Sequence, residues 1–324
     1  MPVAEEVNFA YHLAANEPNV RRRAVSSLMK WISTKSAHVK TEFTEESMMK
    51  LWKGLFYCMW MTDKPLVQQE MADTICSLIH SFSREGQTLT FIDAFFKTMA
   101  HEWFAIDRYR IDKFMMLVRR FFRQSLVFTY SGGWREERIR SLNACLSKTV
   151  LHPSSDDTPV GLKMHIANIF LQELARVHGH ELMAEQAMLF LEPFFKIIVR
   201  APMVVLRKCV RDDIFHLMMD LDPGTAEQGA EGEGSDVEEE AMKVEKESDN
   251  EEEYDEDGRL LEKSETSVDL PAVPFDYEMI ADRFLECSKI KNMKAPNRCM
   301  IANLVKKFWE LSQGVNPRHI IDED

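Results

Sequence analysis

The residues best suited to chemistry in this sequence are cations between positions 108 and 140. They are Arg108, Arg110, Lys113, Arg119, Arg120, Arg123, Arg135, Arg138 and Arg140. A guanidinium presents a planar fork of N–H donors, which suits a phosphate or a carboxylate. The pattern therefore predicts a surface that contacts either an RNA backbone or an acidic partner.

A solvated face is the alternative interpretation of the same residues. Acids that could pair with these arginines are Asp107, Asp112, Glu136 and Glu137. Charge runs on predicted helices are usually solvated faces, and exposed ion pairs contribute little to stability. The pattern taken alone favours this alternative over a binding surface.

Apolar spacing predicts how the central cations are oriented within a helix over residues 107–128. The residues expected to face the core, at helical spacing, are Ile111, Phe114, Val118 and Phe121. Lys113, Arg120 and Arg123 then lie towards the opposite side, with Arg119 near its edge. Arg135, Arg138 and Arg140 follow at the beginning of the next predicted helix.

Smaller basic clusters occur elsewhere in the chain. They are Arg21–Arg22–Arg23, Arg207–Lys208–Arg211, and Lys289, Lys291 and Lys294 with Arg298. Each cluster is weak evidence by itself. Affinity for phosphate, with its dependence on salt, becomes plausible only if the fold brings two clusters onto one face.

The sequence contains no phosphate-cradling glycine loop, no HExxH motif and no GxSxG elbow. His178-Gly179-His180 is the only close histidine pair, and it lies at a predicted turn between helices without further convincing ligands. We therefore expect a surface turn there. The sequence predicts no catalytic residue, no metal site, no cofactor and no small-molecule substrate.

Helices must position these residues, because long runs of the chain contain neither Gly nor Pro. The predicted helices cover residues 4–15, 19–34, 44–61, 64–82, 88–104, 107–128, 134–150, 160–178, 181–199, 202–220, 275–288 and 296–312. Thr44, Asp63 and Asp107 are expected to cap three of them. Helices that arrive in pairs with short connections predict an all-α fold, a HEAT- or armadillo-like helical repeat solenoid. A compact irregular bundle is the alternative.

Charge divides the 324 residues into parts. The net charge is −13, but residues 1–222 carry 28 Lys and Arg against 26 Asp and Glu, and residues 271–324 carry eight of each. Residues 223–270 carry 4 against 19 and are rich in Glu, Gly and Ser, which predicts a disordered acidic insertion. The expected organisation is a helical repeat domain over 1–222, the insertion over 223–270, completing helices over 271–313 and a tail over 314–324.

The insertion also contains two candidate phosphorylation sites. Ser235 and Ser248 each have an acid three residues on, the pattern that acidophilic kinases favour. The insertion is expected either to bind basic partners or to act as a solubilising spacer.

Cysteine usage and hydropathy indicate the compartment. Six scattered cysteines without a CxxC pair predict buried reduced thiols. No secretory signal and no uncharged apolar stretch of membrane-spanning length is present, so we expect a soluble intracellular protein with no membrane partner.

Several segments resemble the ribosomal RNA processing protein 1 family. They are LWKGLFYCMWMTDKPLVQQE (51–70), EW followed by ID (102–107), DKFMMLVRRFFRQ (112–124), WREERIRSLNACL (134–146), PVGLKMHI (159–166) and FAYHLAANEPNVRRRAV (9–25). The string over 51–70 is the most specific. The resemblance covers most of residues 1–222, and residues 275–312 are expected to complete the same domain.

The resemblance implies a non-enzymatic ribosome assembly factor in the nucleus and nucleolus. Such a factor acts in rRNA processing and large (60S) subunit biogenesis, as a scaffold that binds assembly factors in pre-60S particles. Direct contact with pre-rRNA and a protein-only scaffold with indirect RNA association are both open. Many animal relatives have a long basic C-terminal tail, and this sequence lacks such a run. We therefore expect either import with partners or a partial chain.

Overall fold

A computed structural model describes residues 5–38, 43–154, 157–220, 273–291, 293–315 and 317. The first α-helices are α1 (Glu5–Leu13), α2 (Pro18–Ala37), α3 (Glu45–Trp60), α4 (Pro65–Ser77), α5 (Glu85–Glu102), α6 (Ile111–Tyr130) and α7 (Glu136–Leu146). They are followed by α8 (Val160–Arg176), α9 (Ala184–Arg200), α10 (Val204–Val210), α11 (Leu217–Asp220), α12 (Tyr277–Ser288) and α13 (Ala295–Ser312). A π-helical turn over Arg211–His216 joins α10 to α11.

From α1 to α10, successive helices alternate between two layers. In one layer α1 contacts α3, α3 contacts α5, α5 contacts α7 and α7 contacts α9. In the other layer α4 contacts α6, α6 contacts α8 and α8 contacts α10, with α2 beside α4. Because each helix packs on the next helix of its own layer, the prediction of an all-α helical repeat is confirmed.

A continuous apolar core fills the space between the layers. Trp52 lies near its centre, with ring centroids 4.6, 4.7 and 5.0 Å from those of Phe91, Phe95 and Phe121. Its Nε1–H donates to the carbonyl oxygen of Phe91 at 2.9 Å, so the polar atom of this buried ring is satisfied. The aromatic residues of the 51–70 string therefore serve mainly to join α3 to α5 and α6.

Helix ends follow the sequence signals in part. The Thr44 hydroxyl caps α3 by accepting from the Ser47 amide at 3.2 Å, as predicted. The expectations for the two aspartates are wrong. Lys64, and not Asp63, precedes α4, and its side chain cannot cap the helix because an ammonium group has no acceptor atom. Asp107 instead accepts from the Tyr109 amide within the turn before α6.

Gly54 permits a close approach between α1 and α3. A Cβ atom at this position would lie 2.7 Å from the Cα of Ala10 and 3.1 Å from Leu13 Cδ1. Only a residue without a side chain fits there, because a backbone atom of α1 occupies that space.

All six cysteines are free thiols. Cys58, Cys76, Cys145 and Cys287 are buried, while Cys209 and Cys299 are half-buried. The prediction of reduced thiols inside the core therefore holds for four of the six positions.

The predicted insertion over 223–270, with Ser235 and Ser248, lies outside the described residues, as does most of the tail over 314–324. Among the helices that the structure describes, none combines the length and the apolar character needed to cross a membrane.

Candidate functional site

The carboxylate of Glu173 is the centre of the cation cluster on α6. Glu173 belongs to α8, and its side chain has no solvent exposure. Its Oε1 accepts from Arg119 Nε at 2.5 Å and from Arg123 Nη2 at 3.0 Å, and Arg176 Nη1 contributes a third contact at 3.3 Å. A buried charge is tolerated when it is paired and hydrogen-bonded in this way.

The Glu173 carboxylate stays ionised because of these partners. Burial by itself would raise the pKa of Glu173, but hydrogen bonds from Arg123 and Arg119 hold that pKa below its ordinary value. Arg119 also donates to Gln172 Oε1 at 3.0 Å. Two of the predicted contact arginines are thus occupied in holding α6 against α8.

Arg120 joins α6 to its other neighbour. Its Nη1 lies 2.5 Å from Asp73 Oδ2 and donates to the Gln69 carbonyl oxygen at 3.2 Å, both on α4. Its side chain is 24% exposed. The cations over 119–123 therefore connect the three helices α4, α6 and α8.

The expectation that Lys113 lies on the solvent side of α6 is wrong. Lys113 is only 7% exposed, and its Nζ donates to the carbonyl oxygens of Trp60 at 2.7 Å and Thr62 at 2.8 Å. Carbonyl groups at the C-terminal end of α3 lack partners within the helix, and the lysine supplies them with donors. Burial lowers the pKa of Lys113 to about 8.

Two more of the cations lie in the turn that leads into α6. Arg110 forms an ion pair with Asp107 and stacks on the Trp60 ring, 4.7 Å from its centroid. Arg108 is exposed and lies over the ring of Tyr109 at 4.6 Å.

The remaining three cations lie beyond the C-terminal end of α6. Arg138 binds the preceding turn through the carbonyl oxygens of Ser131 at 2.6 Å and Phe128 at 3.3 Å, and it pairs with Glu85 at 3.1 Å. Arg140 is 62% exposed and pairs with Glu136 within α7. Arg135 is exposed and has no ion pair with another residue that the structure describes.

The nine predicted residues therefore do not form one surface. Arg110, Lys113, Arg119, Arg120, Arg123 and Arg138 are bound to other parts of the chain. Arg108 is exposed at the beginning of α6, and Arg135 and Arg140 are exposed beyond its end. The two groups are separated by the length of a 20-residue helix, roughly 30 Å.

An exposed aromatic pair beside Arg108 was not predicted. Phe104 and Tyr109 are 77% and 74% exposed, although they are flanked by the apolar helices α5 and α6. The signal in the sequence is the segment WFAIDRYR, where aromatic residues alternate with charges without helical spacing. We call Phe104, Arg108 and Tyr109 the aromatic loop.

The histidine pair lies on an exposed turn, as predicted, but a third possible ligand is close to it. One ligand atom from each of His178, His180 and Glu181 lies within 4.8 Å of the others. Glu181 is already engaged, since it accepts from the Tyr130 hydroxyl at 2.8 Å and lies 3.0 Å from His178 Nδ1. Hydrogen bonding within the turn accounts for this arrangement.

Comparison with known proteins gives the family. Residues 4–301 match the family model described as nucleolar protein Nop52. Ribosomal RNA processing protein 1 homolog B from Homo sapiens is 36% identical over 95% of this chain and 43% of its own length. Homolog A from Homo sapiens is 34% identical over 98% of this chain and 73% of its own length. Homolog A from Mus musculus is 40% identical over 73% of this chain and 49% of its own length.

The resemblance read from the motifs is thus confirmed over almost the whole sequence. The chain spans less than half the length of two of these three relatives. The chain belongs to the Nop52 family of nucleolar proteins.

Proposed function

We propose that this chain is a ribosome assembly factor that acts in the nucleolus as a non-enzymatic scaffold of pre-60S particles. The names of its relatives refer to ribosomal RNA processing, and the family description refers to the nucleolus.

The single observation that carries this proposal is the use of the α6 cations as internal connections. Arg119 and Arg123 bind α8, Arg120 binds α4, and Lys113 binds the end of α3. Charged groups placed in this way fix the relative positions of neighbouring helices. A fixed array is suited to holding partners at defined separations, which is the function of a scaffold.

Residues 1–222 and 271–313 form one domain in this proposal. The support is the packing of the C-terminal hairpin on α9. Arg283 of α12 binds Glu192 of α9 at 2.8 and 3.0 Å, and Asn297 of α13 donates to the Val199 carbonyl oxygen at 3.0 Å.

The aromatic loop is the proposed contact with an assembly factor. Aromatic and arginine side chains are enriched in the energetically important centres of protein interfaces. Phe104 and Tyr109 are large and exposed, and Arg108 adds a planar cation beside them. Arg135 and Arg140, at the other end of α6, remain proposed contacts with phosphate or an acidic partner.

The experiment compares particle association of two matched double variants. Phe104→Ala with Tyr109→Ala should reduce the amount of large-subunit precursor that copurifies with the tagged chain by about ten-fold or more, because truncating an interface centre costs more than 1 kcal/mol per residue. The control is Tyr11→Ala with Leu66→Ala, which removes side chains that are 78% and 58% exposed elsewhere on the surface. Equal recovery with both variants would exclude the aromatic loop as a contact.

A protein-only scaffold is the second candidate. It is favoured at α6 because six of the nine predicted cations are partly or fully buried and bound to the chain itself. RNA–protein crosslinking in purified particles separates the two candidates. Crosslinks between RNA and peptides that contain Arg108, Arg135 or Arg140 would contradict the protein-only proposal at this site.

The non-enzymatic assignment has its own test. Purified chain should not cleave or unwind precursor rRNA above the level of a buffer blank. An activity that is abolished by one point mutation in a folded variant would overturn the assignment.

A further inference from the structure

A second group of cations lies at the C-terminal end of the array. Its members are Lys196 and Arg200 on α9, Lys289, Lys291 and Lys294 around the turn between α12 and α13, and Arg298 on α13. All six side chains are exposed. We call these six residues the C-terminal basic surface.

Packing of the hairpin on α9 brings the two parts of this surface together. Asn297, next to Arg298, donates to the carbonyl oxygen of Val199, the residue before Arg200. Lys196 and Arg200 are four residues apart on α9, so they share one face and lie about 6 Å apart along the helix axis. Lys294 immediately precedes α13, and Arg298 lies in the first turn of that helix.

Few carboxylates lie in the described segments that carry these six cations. Residues 192–200, 283–291 and 294–298 contain seven cations and two carboxylates, Glu192 and Glu286, a balance of +5. Arg283 binds both carboxylates, at 2.8 Å and 2.9 Å. None of the six exposed cations has an ion pair with any residue in the described part of the chain.

The cations of this surface differ from those of α6 in their exposure and in their partners. On α6 three half-buried arginines are bound to acids and the buried Lys113 is bound to carbonyl oxygens. Here four of the six cations are exposed lysines that have no ion pair among the described residues. Lysine is depleted in protein interfaces, and the fully buried centre of such an interface requires large apolar anchors. Exposed large apolar side chains close in sequence to this surface are Leu285 and Ile290, at 46% and 39%, and Met203, Val204 and Val205 beyond Arg200, and none of them is aromatic.

None of the six residues of this surface is aromatic, and the exposed ring of Trp309 on α13 lies eleven residues from Arg298, roughly 16 Å along the helix axis. This separation bears on the form of nucleic acid that the surface suits. Proteins that bind single strands stack successive bases on aromatic side chains. Double-stranded RNA is contacted mainly through its backbone and shape, which requires only suitably spaced donors.

We propose that the C-terminal basic surface binds the phosphodiester backbone of base-paired RNA without reading its sequence. The inference deepens the proposed function, because it gives the scaffold a direct RNA ligand at a site distant from the aromatic loop. It can be tested on the purified chain, so a failure to bind RNA and a failure to join a particle are distinguishable.

The test measures binding to a fluorescent RNA duplex of about 20 base pairs, longer than the roughly 16 that a double-stranded RNA-binding domain spans. Salt is varied between about 50 and 200 mM, the range over which phosphate contacts are strongly weakened.

The variant carries Lys289→Gln, Lys291→Gln, Lys294→Gln and Arg298→Gln. The control carries Arg22→Gln, Lys50→Gln, Lys53→Gln and Lys148→Gln, which removes the same charge from exposed side chains that have carboxylate partners.

The surface variant should bind the duplex at least about ten-fold more weakly than the parent chain, and its salt slope should be smaller by about three. The control should bind within about two-fold of the parent, because it keeps this surface. Both variants are checked for an unchanged unfolding midpoint.

Three results would overturn the inference. The first is equal weakening of duplex binding in both variants, which would assign binding to net charge. The second is a parent chain that does not bind the duplex. The third is a parent chain that binds a single strand of the same length more tightly than the duplex. A chain that binds the duplex through this surface but does not join a particle would contradict only the proposed function.

Discussion

Arg123 on α6 donates to the buried carboxylate of Glu173 on α8, with Nη2 3.0 Å from Oε1. This contact spans 50 residues of sequence and joins two neighbouring helices of one layer. Arg119 and Arg176 bind the same carboxylate, so one acid neutralises part of the charge of three arginines. The arginines on α6 that were predicted to contact a ligand therefore mainly join α6 to α8.

Replacement of Glu173 by glutamine should destabilise the fold strongly. The amide has nearly the same shape but no charge, so the partly buried Arg119 and Arg123 lose the carboxylate that both of them bind. Removal of one partner of a buried pair costs about 3–5 kcal/mol. Urea denaturation measures the loss, and Glu136→Gln, at an exposed pair within α7, should cost less than about 1 kcal/mol. Similar losses for both variants would contradict this account.

Charge reversal at Arg119 and Arg123 should unfold or loosen the array. Arg119→Glu with Arg123→Glu places three carboxylates together where ion pairs exist now. Arg135→Glu with Arg140→Glu reverses the same charge on exposed side chains and should change the unfolding free energy by less than about 1 kcal/mol. Thermal unfolding distinguishes the pairs. Only the second pair is then informative about binding, since a loss of particle association in the first would follow from misfolding.

The stability supplied by Lys113 should increase in alkaline solution. Burial lowers the pKa of Lys113 from 10.5 to about 8 in the folded protein. Between these pH values the unfolded chain binds more protons than the folded chain, so the unfolding free energy rises with pH. Below about pH 8 both states carry the charge, and the cost of burying it is fully present.

The measurement is the difference in unfolding free energy between the parent chain and Lys113→Met, obtained from urea denaturation at pH about 7 and about 10. The unfolding free energy of the parent chain should increase relative to that of Lys113→Met as pH rises. Lys50→Met is the control, since it removes a lysine side chain that is 49% exposed. A difference that falls with pH for Lys113 would show that its ammonium group is stabilised by the site.

Alanine at position 54 should separate α1 from α3. A Cβ atom there would meet backbone and side chain of α1, and such overpacking typically costs about 1–3 kcal/mol. Gly86, in the first turn of α5, has nothing within 4 Å of an added Cβ, so Gly86→Ala should be neutral or stabilise by up to about 1 kcal/mol. Hydrogen exchange of α1 amides gives the local readout. Unchanged protection in Gly54→Ala would mean that the two helices can adjust to the added methyl group.

Helical spacing alone predicts most of α6. Phe114, Val118 and Phe121 are fully buried, as their spacing indicates, while Ile111 is only half-buried. The orientation of the cations could not be predicted in the same way, because α6 has neighbours on more than one side. Lys113 is directed to the end of α3 by carbonyl groups whose position depends on the tertiary fold.

Glu173 is a residue of the candidate site whose partners cannot be identified from the sequence. It lies in IANIFLQELA, a nearly apolar run, and an acid in such a run is expected to be buried and to require a cation. That signal exists in the sequence, but it does not identify the partner. Arg119 and Arg123 are about 50 positions away, and only the packing of α6 on α8 brings them to the carboxylate.

The four buried cysteines can report local opening of the helical array. Burial raises the pKa of Cys58 to about 12, and burial likewise raises the pKa of Cys76, Cys145 and Cys287. At neutral pH an alkylating reagent can therefore modify each of them only when its surroundings open. The four residues belong to α3, α4, α7 and α12, so their separate alkylation rates would map which part of the chain opens first.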